Sequence, residues 1–204
     1  MYGRLRQIMA HMQPLPIEQI SDPEIRETIK GYEAIRGFIP NSIQTMVRRP
    51  NIVKAFMALN QAVLYEGTVA NELKMLVSLV TSLTSGCLYC QSHMTNLSKI
   101  YNASEEKINA IANFEDSSLF DDDEKSALNL AFKASSIPNA VIQEDFDRLQ
   151  LYFNEEQIVE IVSSISLFGF LNRWNDTMAT EVEPLPATVT KKIFTEWDEG
   201  KHKS

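Results

Sequence analysis

Helix-start signals recur along the whole chain, and they constrain the fold more than any other feature of the sequence. Ser21-Asp22-Pro23 is typical of an N-cap followed by a first-turn proline. Two further helix starts carry the spacing of a capping box: Asp121 with Glu124, and Asn154 with Gln157. No alternation of apolar and polar residues persists for more than four residues, so strands are not expected. The sequence therefore predicts an all-α fold.

The predicted helices begin near Pro23, Asn41, Pro50, Asn71, Glu105, Asp122, Glu155 and Thr188. The longest extends from Glu155 to about Glu181, where Pro184 and Pro186 are expected to end it, and the last is expected to stop near Glu199. Helix breakers are scarce, since the chain has 7 glycines and 8 prolines, against about 24 at average usage. We interpret residues 1–204 as one helical domain with two halves, about 1–114 and 120–204, joined by an acidic stretch.

Charge and hydropathy exclude several classes of partner. The chain has 19 basic and 27 acidic residues, a formal net charge of −8, so it has no basic surplus for nucleic acid or an anionic membrane. The N-terminal 20 residues have no apolar segment typical of a signal peptide. The most apolar run, residues 161–171, is much shorter than the roughly 20 residues of a membrane span. We therefore expect a cytoplasmic protein that binds neither nucleic acid nor membrane.

The segment from Cys87 to His93 contains both cysteines of the chain and one of its three histidines. A Cys-x-x-Cys pair at a helix start places Cys87 and Cys90 within disulfide reach, where unpaired N–H groups and the helix dipole favour thiolate. His93 follows Cys90 on the same helical face and is a candidate proton acceptor. Glu72 is a candidate carboxylate that reaches the motif through water, although a solvated acid in a first helical turn is an equal alternative.

Three other interpretations of the cysteine pair are a c-type haem site, a zinc site and two inert thiols. A c-type haem site requires histidine directly after the second cysteine, where Gln91 stands. Zinc normally takes four ligands; Cys87, Cys90 and His93 supply three, and a carboxylate would have to be the fourth. Two buried, inert cysteines are the third alternative. The other histidines lie near chain ends that we expect to be mobile: His11 and His202.

A polar cluster interrupts the long apolar helix, namely Asn172, Arg173, Trp174 and Asp176. Arg173 and Asp176 are three residues apart and have the spacing of an ion pair on one helix face. We interpret the cluster as a structural or subunit-interface network, with a substrate-orienting role as the alternative.

Several stretches resemble the AhpD-like, peroxidase-related branch of the carboxymuconolactone decarboxylase superfamily. These stretches are residues 37–42, 49–50, 72–74, 86–93 and 172–176, together with Trp197 and residues 200–202. The resemblance implies an all-helical fold that assembles as a dimer, trimer or hexamer. It also implies an oxidoreductase that reduces hydroperoxides or disulfides without a metal or cofactor. The decarboxylase members of the superfamily lack the cysteine pair, which argues against their chemistry here.

The same resemblance implies roles for the site residues. Cys90 would be the peroxidatic thiolate, Cys87 would lie nearer the surface and resolve the sulfenic acid as a disulfide, and His93 would assist deprotonation. A dithiol donor, such as a lipoyl-bearing or thioredoxin-like protein, would supply the electrons. The family's relay glutamate falls at Met75 here, so Glu72, one turn earlier, is the expected substitute. The alternative is a non-catalytic oligomer with a metal-holding or inert cysteine pair.

Overall fold

The computed structural model describes residues 10–203, and α-helices supply nearly all of the regular structure in that range. No β-strand occurs among these residues, which confirms the all-α prediction. The α-helices are α1 (Pro23–Arg36), α2 (Asn41–Met46), α3 (Pro50–Tyr65), α4 (Asn71–Ser85), α5 (Leu88–Ile100), α6 (Glu105–Asn109), α7 (Asp122–Ser135), α8 (Gln143–Leu149), α9 (Glu155–Met178) and α10 (Pro184–Ile193). Short 3-10 helices span Ile17–Gln19, Ala110–Asn113 and Gly200–His202.

Local signals set most helix starts as the sequence predicts. The Asp22 side chain accepts hydrogen bonds from the backbone N–H groups of Glu24 and Ile25 at the start of α1. The helix ends where Gly37 adopts a left-handed conformation, with φ 77°. At the start of α9 the Asn154 side chain accepts from the backbone N–H of residue 157, which completes the predicted capping box.

The prediction for the C-terminal helices is wrong in two respects. The long helix α9 ends at Met178, because Ala179 takes a left-handed conformation with φ 48°. Pro184 then opens α10, which spans Pro184–Ile193 instead of the predicted range from about Thr188 to Glu199. Proline is suited to a first helical turn, because no intrahelical partner is needed there for its missing N–H. The two prolines thus mark the start of α10, and Glu183, directly before them, has an extended backbone.

Helix α4 forms the centre of the fold and packs against α5, α7 and α9. Every residue from Leu73 to Ser82 is buried. The buried Lys74 ammonium lies 2.7 Å from the Glu160 carboxylate of α9. The same carboxylate accepts hydrogen bonds from the backbone N–H groups of Thr68 and Val69, at 2.8 and 3.0 Å. These contacts join the two halves of the chain and support their interpretation as one domain, which stays a prediction.

Helix α5 contacts α4, α9 and α10, and the 3-10 helix Gly200–His202 also packs on it. Its residues from Tyr89 to Ser98 are all buried. The start of α5 therefore lies where the first half of the chain meets its last two helices. Within residues 10–203, no helix combines the length and apolar character that a bilayer crossing requires.

Candidate active site

The cysteine pair lies at the start of α5, as predicted. Cys87 is the N-cap residue, and its Sγ accepts a hydrogen bond from the backbone N–H of Cys90 at 3.5 Å. Both residues are free thiols and both are buried, with relative exposures of 0% for Cys87 and 2% for Cys90. The expectation that Cys87 lies nearer the surface is therefore wrong, because the C-terminal segment and α9 cover the helix start.

Burial controls the protonation of Cys90 in this closed site. It raises the pKa of the thiol well above its ordinary value, and the adjacent Cys87 sulfur raises the pKa further. The Asn175 side-chain amide lies 3.5 Å from the Cys90 sulfur and acts in the opposite direction, because it donates to the thiolate. Desolvation thus outweighs the stabilisation of the thiolate that we expect from the helix start. Cys90 requires a proton acceptor before it can act as a nucleophile.

A buried histidine–carboxylate pair stands beside the cysteine pair. His93 Nε2 lies 2.6 Å from Oε2 of Glu183, the residue that directly precedes α10. The other carboxylate oxygen accepts from the backbone N–H of Asn41 at 2.5 Å and from the Tyr89 hydroxyl at 3.0 Å. Burial raises the pKa of Glu183, but the adjacent His93 ring and the backbone N–H of Asn41 outweigh it, so the pKa is lowered. The carboxylate therefore stays ionised and fixes the imidazole.

The ring of His93 is held from two sides. It stacks on the Tyr89 ring at a centroid distance of 4.2 Å, and the Phe38 ring meets it edge-on at 5.3 Å. Since a carboxylate only accepts hydrogen bonds, Nε2 carries the proton that faces Glu183. Nδ1 has no hydrogen-bond partner among residues 10–203 and is the ring's free acceptor when the imidazole is neutral.

Cys90 and His93 line one small cavity of about 30 Å³. Its other walls are mainly side chains of α1, α3, α9 and the start of α2, including Tyr32, Arg36, Phe56, Asn60, Phe168 and Asn175. A cavity of this size holds about one water molecule. Cys90 and His93 therefore border a common space that a single small oxygen species could fill.

Glu72 does not join this cluster. Its carboxylate lies 3.0 Å from the Lys107 ammonium of α6, and that ammonium also binds Glu124 at 2.6 Å. Met75, at the position of the family's relay glutamate, is fully buried. The carboxylate that the structure brings to His93 is Glu183, which sequence reasoning missed. Its only sequence signal is an acid directly before the proline that opens a helix.

A second acid–base cluster lies around Cys87. His202 is completely buried, contrary to the expectation of a mobile chain end, and its Nδ1 lies 2.8 Å from the Thr180 carbonyl oxygen. Its Nε2 lies 3.5 Å from Asp176 Oδ1, and one donor atom each of Cys87, Asp176 and His202 lie within 4.8 Å of one another. Asp176 also pairs with Lys201 at 2.7 Å. This ion pair forms in place of the predicted pair between Arg173 and Asp176.

The geometry does not favour the zinc alternative. His93 Nε2 is bound to Glu183, so the proposed set of Cys87, Cys90 and His93 lacks that nitrogen. The group around His202 offers three donors, one fewer than a closed structural zinc site uses. The Lys201 ammonium on Asp176 also opposes a dication electrostatically. Neither set of donors thus completes the four ligands of a structural zinc site among residues 10–203.

Comparisons with known proteins bear on the family and the fold of the chain. The carboxymuconolactone decarboxylase family model matches residues 50–133, which include both cysteines. Two solved structures of the debrominase Bmp8 share 31% and 32% sequence identity with the chain, with a TM-score of 0.82. Each alignment covers 89% of this chain and 96% of the other. The structure at 31% identity is a Cys→Ala variant in complex with 2,3,4-tribromopyrrole.

More distant relatives share the fold. A peroxidase-related protein with an alkylhydroperoxidase AhpD core, from Ralstonia eutropha JMP134, is 22% identical with a TM-score of 0.75, over 85% of this chain and 94% of the other. The uncharacterised protein YdfG of Bacillus subtilis (strain 168) is 22% identical over 111 residues, which are 54% of this chain and 74% of that protein. The chain therefore belongs to the carboxymuconolactone decarboxylase superfamily and has the fold of an AhpD core.

Proposed function

We propose that this chain is a thiol-dependent oxidoreductase that reduces hydroperoxides through a Cys87/Cys90 dithiol–disulfide cycle. One observation carries the proposal: Cys90 and His93 line a common cavity of about 30 Å³, Glu183 is bound to His93, and the Cys87 thiol lies beside Cys90. Membership of a superfamily that contains enzymes supports a catalytic role in general. The buried carboxylate supports a proton-transfer role for His93 in particular.

The cycle begins with proton transfer from Cys90 to the neutral His93 imidazole. The resulting imidazolium is stabilised by the Glu183 carboxylate at 2.6 Å. The thiolate then attacks the terminal oxygen of the hydroperoxide, the O–O bond breaks, and the imidazolium returns the proton to the departing alkoxide. Cys90 becomes a sulfenic acid and the peroxide becomes an alcohol.

The second thiol completes the oxidation. Cys87 attacks the sulfenic sulfur of Cys90, a disulfide forms, and the hydroxyl group leaves with the Cys87 proton as water. A dithiol donor then reduces the disulfide by exchange. A lipoyl-bearing or thioredoxin-like protein is the donor class that the superfamily suggests. Because both sulfurs are buried, the exchange requires the start of α5 to become accessible.

Intact-protein mass measurement after an anaerobic, stoichiometric pulse of hydrogen peroxide tests the cycle. The unsubstituted protein is expected to lose two hydrogens as the disulfide forms. Cys87→Ser is expected to gain one oxygen on Cys90, trapped by dimedone, and Cys90→Ser is expected to stay unmodified. The exposed His11 provides a control, since His11→Asn should behave as the unsubstituted protein. Equal residual turnover in both cysteine variants would refute the assigned roles.

Reductive debromination is a second candidate, favoured by the 31% and 32% identity to the debrominase Bmp8. The same dithiol balances that reaction, since an aryl bromide and two thiols give the debrominated arene, a disulfide and hydrogen bromide. The cavity of about 30 Å³ is too small for a bromopyrrole ring in this conformation, so we place hydroperoxides first. Bromide release from a bromopyrrole that outpaces peroxide consumption would reverse this order.

The non-catalytic alternative makes a different prediction. A structural oligomer with a metal-holding or inert cysteine pair should contain about one zinc per chain or keep unreactive thiols after the peroxide pulse. Elemental analysis and thiol counting separate these outcomes from the proposed cycle. The oligomeric state, expected to be a dimer, trimer or hexamer, is measured independently by analytical ultracentrifugation.

A further inference from the structure

Cys87 has an acid–base neighbour of its own, separate from the His93–Glu183 pair. His202 is fully buried, and its Nε2 has no hydrogen-bond partner among residues 10–203. An unpartnered buried acceptor lowers the stability of the fold, so its presence points to a function or a transient partner. One ring nitrogen of His202, the Cys87 sulfur and an Asp176 carboxylate oxygen lie within 4.8 Å of one another, and Nε2 is the nitrogen that lies 3.5 Å from Asp176 Oδ1.

The hydrogen bonds fix the protonation of the His202 ring. Nδ1 lies 2.8 Å from the Thr180 carbonyl oxygen, which only accepts, so Nδ1 carries the ring proton. Burial lowers the pKa of His202 despite the opposing effects of Thr180 and Asp176, so the ring is neutral at pH 7. Nε2 therefore presents a lone pair, and within the group of Cys87, Asp176 and His202 the Cys87 thiol can supply a proton to it.

Asp176 is placed to stabilise the charge that proton transfer would create. Its Oδ1 lies 3.5 Å from Nε2, an unfavourable approach of two acceptors while the ring is neutral. Once Nε2 is protonated, the same approach becomes an ion pair. The groups that face His202 come from every element packed on it: Cys87 and Tyr89 of α5, Asp176 of α9, Thr180 after α9, and Lys201 beside it.

We propose that His202 is the general base for Cys87 in the resolving step. As the Cys87 sulfur attacks the sulfenic sulfur of Cys90, His202 Nε2 accepts the thiol proton and Asp176 stabilises the imidazolium. The S–O bond breaks, the imidazolium donates its proton to the departing hydroxyl group, and water leaves as the disulfide forms. The inference rests on the proposed function for this step, and it gives each cysteine a separate histidine.

His202→Asn is the appropriate test variant. The asparagine amide retains a donor for the Thr180 carbonyl oxygen and removes the atom at the Nε2 position. After a stoichiometric peroxide pulse, oxidation of Cys90 should keep its rate, whereas disulfide formation should slow by about 10²-fold or more. Dimedone should then trap a sulfenic acid that the unsubstituted protein does not accumulate. A merely structural defect would slow both steps together.

The pH profile gives a second signature of the base. In the unsubstituted protein the rate of disulfide formation should level off once His202 is neutral. In His202→Asn it should keep rising with pH, because only solvent removes the Cys87 proton. Identical profiles, or an unchanged rate of disulfide formation in the variant, would overturn the proposal.

A measurement without peroxide separates this inference from the proposed function. In Cys90→Ser, the ultraviolet absorbance of the Cys87 thiolate is titrated with His202 present and with His202→Asn added. We expect the thiolate to form at lower pH when His202 is present, because the imidazolium–thiolate pair is then available. Superimposable titrations overturn the role of His202. If they differ while the unsubstituted protein ignores peroxide, only the proposed hydroperoxide reaction fails.

His11→Asn serves as the matched histidine control in each arm, because its side chain is exposed and the substitution keeps the backbone N–H that donates to the Met178 carbonyl oxygen. It should leave both rates and the thiolate titration unchanged. Elemental analysis of the same samples covers the competing use of the cluster. One bound zinc per chain, lost in His202→Asn, would overturn the acid–base assignment.

Discussion

Glu183→Gln tests whether the buried carboxylate controls the reactivity of Cys90 through the His93 ring. The substituted amide oxygen can still accept from the Asn41 N–H and the Tyr89 hydroxyl, as the Glu183 oxygen does at 2.5 and 3.0 Å. The amide nitrogen, however, replaces the oxygen that lies 2.6 Å from His93 Nε2. Because that nitrogen donates, Nε2 must become the acceptor and the ring proton must move to Nδ1.

The change of tautomer removes the free acceptor that the mechanism uses. General acid–base catalysis contributes about 10²–10⁴-fold, so the rate constant for oxidation of Cys90 by hydrogen peroxide should fall by about 10²-fold or more. One charge-assisted hydrogen bond is lost, worth about 1.5–3 kcal/mol of unfolding free energy. For a chain of this size the midpoint of thermal unfolding should fall by about 3–12 °C.

Stopped-flow competition for peroxide and thermal unfolding by circular dichroism give the two quantities. Glu160→Gln is the matched control, since it also removes a partly buried, ion-paired carboxylate, the one bound to Lys74. It should lower the unfolding midpoint and leave the oxidation rate within about twofold. A rate for Glu183→Gln equal to that of the unsubstituted protein would refute the role of the His93–Glu183 pair.

Three further variants and one series of pH values test the fold and the site. Gly67→Ala should lower the unfolding free energy by about 3–5 kcal/mol, because φ is 92° and the new Cβ would lie 2.3 Å from the Glu160 carboxyl carbon. In Gly31→Ala, in α1, the added Cβ would meet no neighbouring group within 4 Å. This variant should instead raise the unfolding free energy by about 1 kcal/mol, and urea titration measures both changes. Burial raises the pKa of Glu160, but the Lys74 ammonium and two backbone N–H groups lower it to about 2, so its contribution to stability is complete above the ordinary value of 4.5. Urea titrations at successive pH values should therefore show this contribution disappearing as pH falls from 4.5 towards 2; a flat profile there would contradict the ion pair. Asn175→Leu should slow oxidation of the Cys90 thiol by about tenfold at neutral pH, since the amide no longer stabilises the thiolate. Stopped-flow oxidation measures this rate, and an unchanged rate would exclude the contact.

Features that depend on neighbouring residues were predictable from the sequence. The cap at Asp22, the end of α1 at Gly37 and the start of α5 at Cys87 all follow from local backbone chemistry. The Pro184 region was misinterpreted because proline both follows helices and opens them, and the local sequence does not distinguish the two uses. Helix boundaries near prolines therefore required the tertiary structure.

The partners of the two histidines were not predictable, because they come from distant parts of the chain. Glu183 reaches His93 only because α10 packs on α5. His202 reaches the dithiol only because the 3-10 helix at the C-terminus folds back on the same helix. Glu72 has the right residue type in the adjacent helix, but the sequence does not show that Lys107 binds it. A periodic pattern specifies a face of a helix, not which distant charge covers it.

The small volume beside Cys90 has a kinetic consequence. A space of about 30 Å³ admits little more than one water molecule, so a bulky oxidant reacts only with molecules in which the surrounding helices have moved apart. The observed rate constant is then the intrinsic one multiplied by the population of that open conformer. Substitutions that loosen α1 or α3 should accelerate turnover of large substrates while they reduce the melting temperature. Selection for a broad substrate range would therefore oppose selection for a rigid fold.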